Sequence, residues 1–216
     1  MAVGIRLLAL AIGYFMGAFQ TGYFYGKAHG IDIREHGSGN AGATNTLRTL
    51  GWKAGVITFA GDCLKAVGAI LVVTHFFGGY FEGDARVLGL YAGLGAVLGH
   101  NFPFYLKFKG GKGIACTAGV AFAVCPQAVP ACFAAFLLCL WLTKYVSLGS
   151  ILMAALFIIQ VIEFNWMGAL GLPAHNVLEY DILAIIFGVL AIWRHKANIE
   201  RLLAGTENKV GSKKEA

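Results

Sequence analysis

Hydrophobic positions in this chain gather into long blocks with short polar stretches between them, and do not alternate with polar positions as in a half-buried strand. The blocks fall at roughly 3–25, 55–77, 86–104, 113–125, 128–143, 147–167 and 178–194. Most approach the ~20 apolar residues that carry a helix across a hydrocarbon core, so the pattern predicts an all-α polytopic membrane protein of about seven transmembrane helices. No A-x-A-like site follows the first block, and further blocks come after it, so it reads as a retained helix. The fourth and fifth blocks are short and are broken by Cys125–Pro126 and Pro130. They fit tilted spans, or a part-way pair whose loose ends protein covers, which would lower the count to about five or six. No repeat of fixed period is present. A single membrane domain over 1–216 is expected, with the residues after Glu207 mobile.

Composition excludes an ordinary soluble domain: 58% of the 216 residues are hydrophobic and 13% charged, with a mean hydropathy of +0.69. The net charge of +6 is sorted by side. Lys27, Arg34, Arg48 and Lys53 share one polar stretch, Lys107, Lys109 and Lys112 another, and Lys144 sits in a third. Arg194, Lys196, Arg201, Lys209, Lys213 and Lys214 crowd the C-terminal tail, while Glu82, Asp84, Glu179 and Asp181 mark the intervening turns. Basic loops stay cytoplasmic, which places the N-terminus outside and the C-terminus in the cytoplasm, with Arg6 a mild exception. The same rule accounts for the cations without nucleic acid as a partner. Cys63, Cys116, Cys125, Cys132 and Cys139 lack C-x-x-C spacing and read as buried free thiols, neither a metal site nor a disulfide framework.

Four polar clusters fall on the basic side. In "EHGSGNAGATNTLRTLG", Gly37, Gly39 and Gly42 let successive backbone N–H groups converge on an anion, with Ser38, Thr44 and Asn45 as neutral donors and Arg48 as a fork suited to phosphate. A helix starting near Thr44 would add its N-terminus to the same task, although a flexible linker is the bland alternative. In "KFKGGKGIACTAG", Gly110, Gly111 and Gly113 bracket Lys112 ahead of an apolar helix. The spacing of a nucleotide-binding P-loop is absent, but the loop, the lysine and the helix start share its physics. The third cluster is "KYVSLGS", and the fourth is "WRHKANIERLLAGTE", where His195 and Asn198 share a face if the last helix continues. Gly205 reads as that helix's C-cap, and Glu207 as a carboxylate reaching back to a basic partner. Asp62 and Lys65 lie one turn apart inside the second block, as a functional pair or a neutral brace, and His100 is placed to line the same space. Two phosphate cradles on one membrane face, in apolar surroundings, imply a membrane enzyme or carrier for phosphate-bearing lipid precursors.

Taken together, "GSGNAGATNTLRTLG", "GHNFPFYLKFKGGKGIACTAG", "KYVSLGS" and "RHKANIERLLAGTE" resemble the bacterial acyl-phosphate:glycerol-3-phosphate acyltransferases, the PlsY family, in motif order and nearly end to end. The resemblance implies seven spans with the N-terminus outside, in the bacterial inner membrane. It implies transfer of a fatty acyl group from a long-chain acyl phosphate to the sn-1 hydroxyl of glycerol 3-phosphate, giving lysophosphatidic acid and inorganic phosphate. No metal or other cofactor is expected, and the active site should face the cytoplasm. Expected partners are the two substrates, membrane lipid and the peripheral enzyme that makes acyl phosphate, and the expected state is a monomer. Carried over by motif, Ser38, Arg48, Lys112, His195 and Asn198 would hold glycerol 3-phosphate and carry the reaction. Gly39, Asn40, Ala41, Gly42, Ala43, Thr44 and Asn45, with Ser147, Gly110, Gly111 and Gly113, would cradle the acyl phosphate. His195 is the runner-up proton acceptor behind the donor's own phosphate.

Three rivals fit less well. A transporter or flippase for a phosphorylated lipid precursor should show repeated halves around a midplane site, and the sequence shows none. A non-catalytic protein binding anionic headgroups would scatter its Lys and Arg without the Gly–Asn–Thr pattern. A CDP-alcohol transferase would need an aspartate-rich metal box, and the H-x-x-x-x-D box of other glycerolipid acyltransferases is also missing.

Overall fold

The computed structural model describes residues 2–211, and no strand occurs among them. The helices are α1 (Ala2–Ala18), α2 (Thr21–Ala28), α3 (Ala43–Leu50), α4 (Trp52–Phe77), α5 (Ala85–Asn101), α6 (Ile114–Val124), α7 (Val129–Thr143), α8 (Val146–Trp166), α9 (Ala174–Arg194) and α10 (Lys196–Leu203). Among the described residues, six segments are long and apolar enough to cross a membrane: Val3–Ala28, Trp52–Tyr80, Ala85–Leu106, Pro126–Thr143, Val146–Trp166 and Ala174–Arg194. The chain is thus a multi-pass, all-helical membrane protein. The fourth expected block is realised as α6, only 11 residues between Gly113 and Cys125.

Two blocks differ from their expected form. The first is broken: Gln20 is extended, with φ −104° and ψ 95°, and separates α1 from α2. A break inside an apolar segment frees backbone groups that must find partners. The carbonyl of Ala18 accepts from the Tyr105 hydroxyl (2.9 Å), that of Phe19 from Lys65 Nζ (2.5 Å), and the buried Gln20 amide donates to the His100 carbonyl (3.0 Å). The last block begins at Ala174, earlier than expected, so Glu179 and Asp181 lie within a helix and not in a turn. Arg6 answers Glu179 through two nitrogens, at 2.5 and 2.8 Å, and this ion pair explains a cation at the non-basic end of α1.

Helix α5 forms the centre of the core. Val87, Leu88, Leu90, Ala92 and Ala96 on it are fully buried. α1 lies against it at backbone distance: a methyl on Gly95 would stand 2.1 Å from the Leu10 carbonyl oxygen, and one on Gly99 2.1 Å from that of Tyr14. Small residues allow such approach between membrane helices. Large apolar side chains point outward instead, among them Phe15, Leu64, Leu71, Phe133, Trp141 and Leu142, as lipid rather than water would favour. The start of α3, the starts of α6 and α8, and the junction of α9 with α10 converge at one end, around a polar cavity.

Candidate active site

The 33–42 loop is held by a single buried amide. Asn45, in the first turn of α3, accepts at Oδ1 from the Ser38 N–H (2.7 Å) and the Ser38 hydroxyl (3.1 Å), and donates from Nδ2 to the carbonyls of Ile33 and His36, both at 2.9 Å. Its hydrogen-bonding capacity is therefore turned on the loop, and its role is to set Ser38. Gly37, at φ +61°, makes room for it: a Cβ there would meet Asn45 Oδ1 at 2.3 Å. The Gly42 N–H donates to Asn40 Oδ1 (2.9 Å). Ala43 and Thr44 open α3, so their N–H groups have no carbonyl one turn back in the helix.

The Lys112 loop is clipped to the end of α5. The N–H of Gly111 donates to the His100 carbonyl (3.1 Å) and that of Gly110 to the Asn101 carbonyl (3.2 Å), while Arg194 Nη2 donates to the Gly111 carbonyl (2.8 Å). Lys112 Nζ donates to Asn198 Oδ1 (2.5 Å), Asn198 Nδ2 to Glu207 Oε1 (2.9 Å), and Arg201 Nε to Glu207 Oε2 (2.8 Å). This chain of bonds fixes which way the Asn198 amide faces, and it bears out the expected reach of Glu207 to a basic partner. Burial pushes Lys112 down to about 8, with Glu207 pulling the other way.

His195 is not part of a continuous helix. It sits between α9 and α10 at φ −96° and ψ 8°, where the Ile192 carbonyl accepts its N–H, yet the junction still turns His195 and Asn198 toward the same space. Its Nδ1 lies 2.7 Å from the Ala191 carbonyl. A carbonyl is an acceptor, so Nδ1 carries the proton and Nε2 offers a lone pair. Burial pushes the His195 pKa down to about 4, which leaves the ring neutral at ordinary pH.

These groups face one cavity of about 150 Å³. Its wall includes Ser38, Arg48, Lys112, His195, Asn198 and Ser147, together with Asn40, Gly42, Ala43, Thr44, Asn45 and Gly113. Gly39, Ala41, Gly110 and Gly111 are not in the wall: Ala41 is buried behind it, and Gly110 and Gly111 form the clip. Ser147 brings a buried hydroxyl with no partner among the described residues. Sequence reasoning did not single out Ser150, although it closes the "KYVSLGS" motif, and it left out Asn208, Phe59 and Phe136, whose places depend on helix packing and carry no motif. A second cavity, of about 400 Å³, is lined by Phe122, Phe133, Met153, Phe157 and Ala118, and shares Phe59, Ile114 and Phe136 with the first. A small polar chamber thus abuts a larger apolar one. Beyond Glu207 the chain continues across this end, where the Val210 N–H donates to the Lys144 carbonyl (2.9 Å); the rest of the tail expected to be mobile, including Lys213 and Lys214, lies outside the described residues.

The family model for glycerol-3-phosphate acyltransferase matches residues 7–205. This chain belongs to the glycerol-3-phosphate acyltransferase family. A relative of that name from Alkaliphilus metalliredigens is 44% identical over 210 residues, covering 97% of this chain and 98% of the relative. Another, from Clostridioides difficile, is 41% identical over 213 residues and covers 97% of each. Crystal structures of PlsY, an integral membrane glycerol 3-phosphate acyltransferase, match the fold. Its glycerol 3-phosphate form gives a TM-score of 0.79 at 36% identity over 95% of this chain and 96% of that one, and its lysophosphatidic acid form a TM-score of 0.78 over 95% of each. In this family member, the sequence motifs quoted above supply most of the polar chamber, while the apolar one combines Ile114, Thr117 and Ala118 of the second motif with non-motif residues of α4, α6, α7 and α8.

Proposed function

We propose that the protein transfers a fatty acyl group from acyl phosphate to the sn-1 hydroxyl of glycerol 3-phosphate, releasing lysophosphatidic acid and inorganic phosphate. The observation that carries this reading is the shared wall of the two cavities. A fatty acyl phosphate is an anion joined to a hydrocarbon chain through one carbonyl carbon, and the joined chambers fit that division. The chain enters the apolar chamber past Phe59, Ile114 and Phe136. Its phosphate rests on the Ala43 and Thr44 N–H groups and the free hydroxyl of Ser147. Glycerol 3-phosphate binds beside it, on Arg48, Lys112 and Ser38, with Asn198 holding Lys112 in place.

The acyl group is already activated as a mixed anhydride, so positioning and charge neutralisation suffice. The sn-1 oxygen adds to the carbonyl carbon, the carbonyl π pair moves to oxygen, and collapse breaks the acyl–O bond to expel phosphate. His195 Nε2 accepts the hydroxyl hydrogen bond and so aims the oxygen. A base with a pKa of about 4 is a weak final acceptor, which favours the departing phosphate for the proton.

The same reading puts the site at the cytoplasmic side of a bacterial inner membrane, where the basic stretches lie. Seven passes are supported by α6, which leaves the cavity at Gly113 and ends where the Val124 carbonyl accepts from the Tyr180 hydroxyl (2.7 Å), next to Glu179 at the opposite end. Purified protein given palmitoyl phosphate and labelled glycerol 3-phosphate should yield labelled lysophosphatidic acid and one phosphate per acyl group moved. Folded protein that yields none refutes the proposal.

A further inference from the structure

His100 and its surroundings are not used by the mechanism above, although this side chain also reaches the polar chamber. It is 3% exposed, and its Nδ1 stands 2.9 Å from Lys65 Nζ. Lys65 places its ammonium among three acceptors: the Phe19 carbonyl (2.5 Å), Asp62 Oδ1 (2.8 Å) and His100 Nδ1. An ammonium has three N–H donors and no lone pair, so Nδ1 must be the acceptor and the ring proton must be on Nε2. Thr21 Oγ1 also donates to Asp62 Oδ1 (3.0 Å), which pins the carboxylate whose charge Lys65 offsets. The break after α1 is what frees the Phe19 carbonyl for this cluster.

Nε2 has no hydrogen-bond partner among the described residues. It packs against Gly111, where a methyl would sit 2.0 Å from it, so only a residue without a Cβ leaves this nitrogen uncovered on that side. Asp62, which touches the ring, lies one helical turn beyond Phe59, and Gly111 lies three residues before Ile114. Phe59 and Ile114 are the residues at which the polar and apolar chambers join. The carbonyl that links hydrocarbon to phosphate has to lie at that junction.

We propose that His100 is an oxyanion donor: its neutral imidazole, locked in the Nε2–H form by Lys65, gives a hydrogen bond to the acyl carbonyl oxygen as negative charge builds there. No bond to the ring is made or broken. The carbonyl π pair moves onto oxygen when the alcohol adds, the Nε2–H holds it, and the pair returns as the bond to phosphate breaks. Because Nε2–H is fixed before the substrate arrives, it needs little reorganisation during the step. The two buried histidines are then complementary, with His195 presenting a lone pair to the alcohol and His100 a proton to the carbonyl. This inference deepens the acyltransferase reading and rests on it.

The test compares His100→Leu with His100→Gln, whose amide can restore an N–H near the position of Nε2. In His100→Leu, kcat should fall about 100-fold or more while KM for glycerol 3-phosphate stays within about threefold; His100→Gln should recover to within about tenfold of the parent. A folded His100→Leu that keeps kcat within about threefold overturns the proposal. An unmutated protein that makes no product sinks the acyltransferase reading instead, which separates the two failures. If His100→Leu does not fold, nitrogen NMR of the parent labelled at histidine decides. His100 should show Nε2–H and His195 Nδ1–H, with His195→Gln giving the assignment, and an Nδ1–H or doubly protonated His100 overturns the proposal. Lys65 acts through His100 as a positioning residue, so Lys65→Met should populate the Nδ1–H form, a shift that a purely bracing lysine would not cause.

Discussion

Ser147 and Lys112 show single groups held in this cavity at some cost to stability. The Ser147 hydroxyl is buried without a partner among the described residues, and a buried unpaired hydroxyl is destabilising. Ser147→Ala should therefore leave thermal stability unchanged or slightly higher, while KM for acyl phosphate rises about tenfold, the loss of roughly one charge-assisted hydrogen bond. Equal losses of stability and activity would point to a packing role. Lys112, lowered from 10.5 to about 8 by burial, gives a pH signature with opposed signs. Between about 8 and 10.5 the unfolded chain holds a proton that the folded chain has released, so stability gains with rising pH across that window. On the proposed reading, binding runs the other way, because there the ammonium is what meets phosphate. The kcat/KM for glycerol 3-phosphate should fall as pH rises through about 8, and Lys112→Arg should remove that limb even if it is slower. What the sequence could not supply at this scale is the protonation state. The Nδ1–H of His195 depends on a carbonyl in the preceding turn, and the Nε2–H of His100 on a lysine from another helix.

The helices were legible as apolar blocks, but their interruptions were not. Gln20 breaks the first block because Tyr105, Lys65 and His100, all distant in sequence, take up the freed groups. His195 interrupts the last helix with local partners instead, the carbonyls of Ala191 and Ile192, while Gly205, at φ +70° just past α10, was readable as a helix end from its residue type alone. Gly95 and Gly99 let α5 approach another backbone, and the sequence does not say which one, since the facing backbone comes from α1. That contact is testable. Gly95→Ala would put a methyl 2.1 Å from the Leu10 carbonyl oxygen and should lower stability by about 1–3 kcal/mol, seen as a lower unfolding temperature in detergent. Gly4→Ala, on the same α1 helix with open space around it, should be neutral or mildly stabilising. Similar effects at both positions would mean that α1 and α5 are not packed at backbone distance.

For the whole molecule, the consequence is a division of labour between motif and background. The motifs, with their glycines, amides and cations, build the polar chamber and were readable because few other structures need that composition in an apolar chain. The apolar chamber was not readable, because Phe59, Phe122, Phe133 and Phe157 look like any other membrane-helix residues until packing leaves a space between them. If that space takes the acyl chain, filling it should change donor preference without touching phosphate binding. Ala118→Phe should cut kcat/KM for palmitoyl phosphate at least about tenfold relative to a donor half as long, and leave KM for glycerol 3-phosphate unchanged. Equal losses for both donors would remove the apolar chamber from the account. The central claim is that both substrates occupy the joined chambers at once and react directly. Initial rates measured against both substrates test this most directly: double-reciprocal lines that intersect, with no acyl-protein trapped on acid quench, are the predicted result, and parallel lines with a labelled acyl-protein would contradict it.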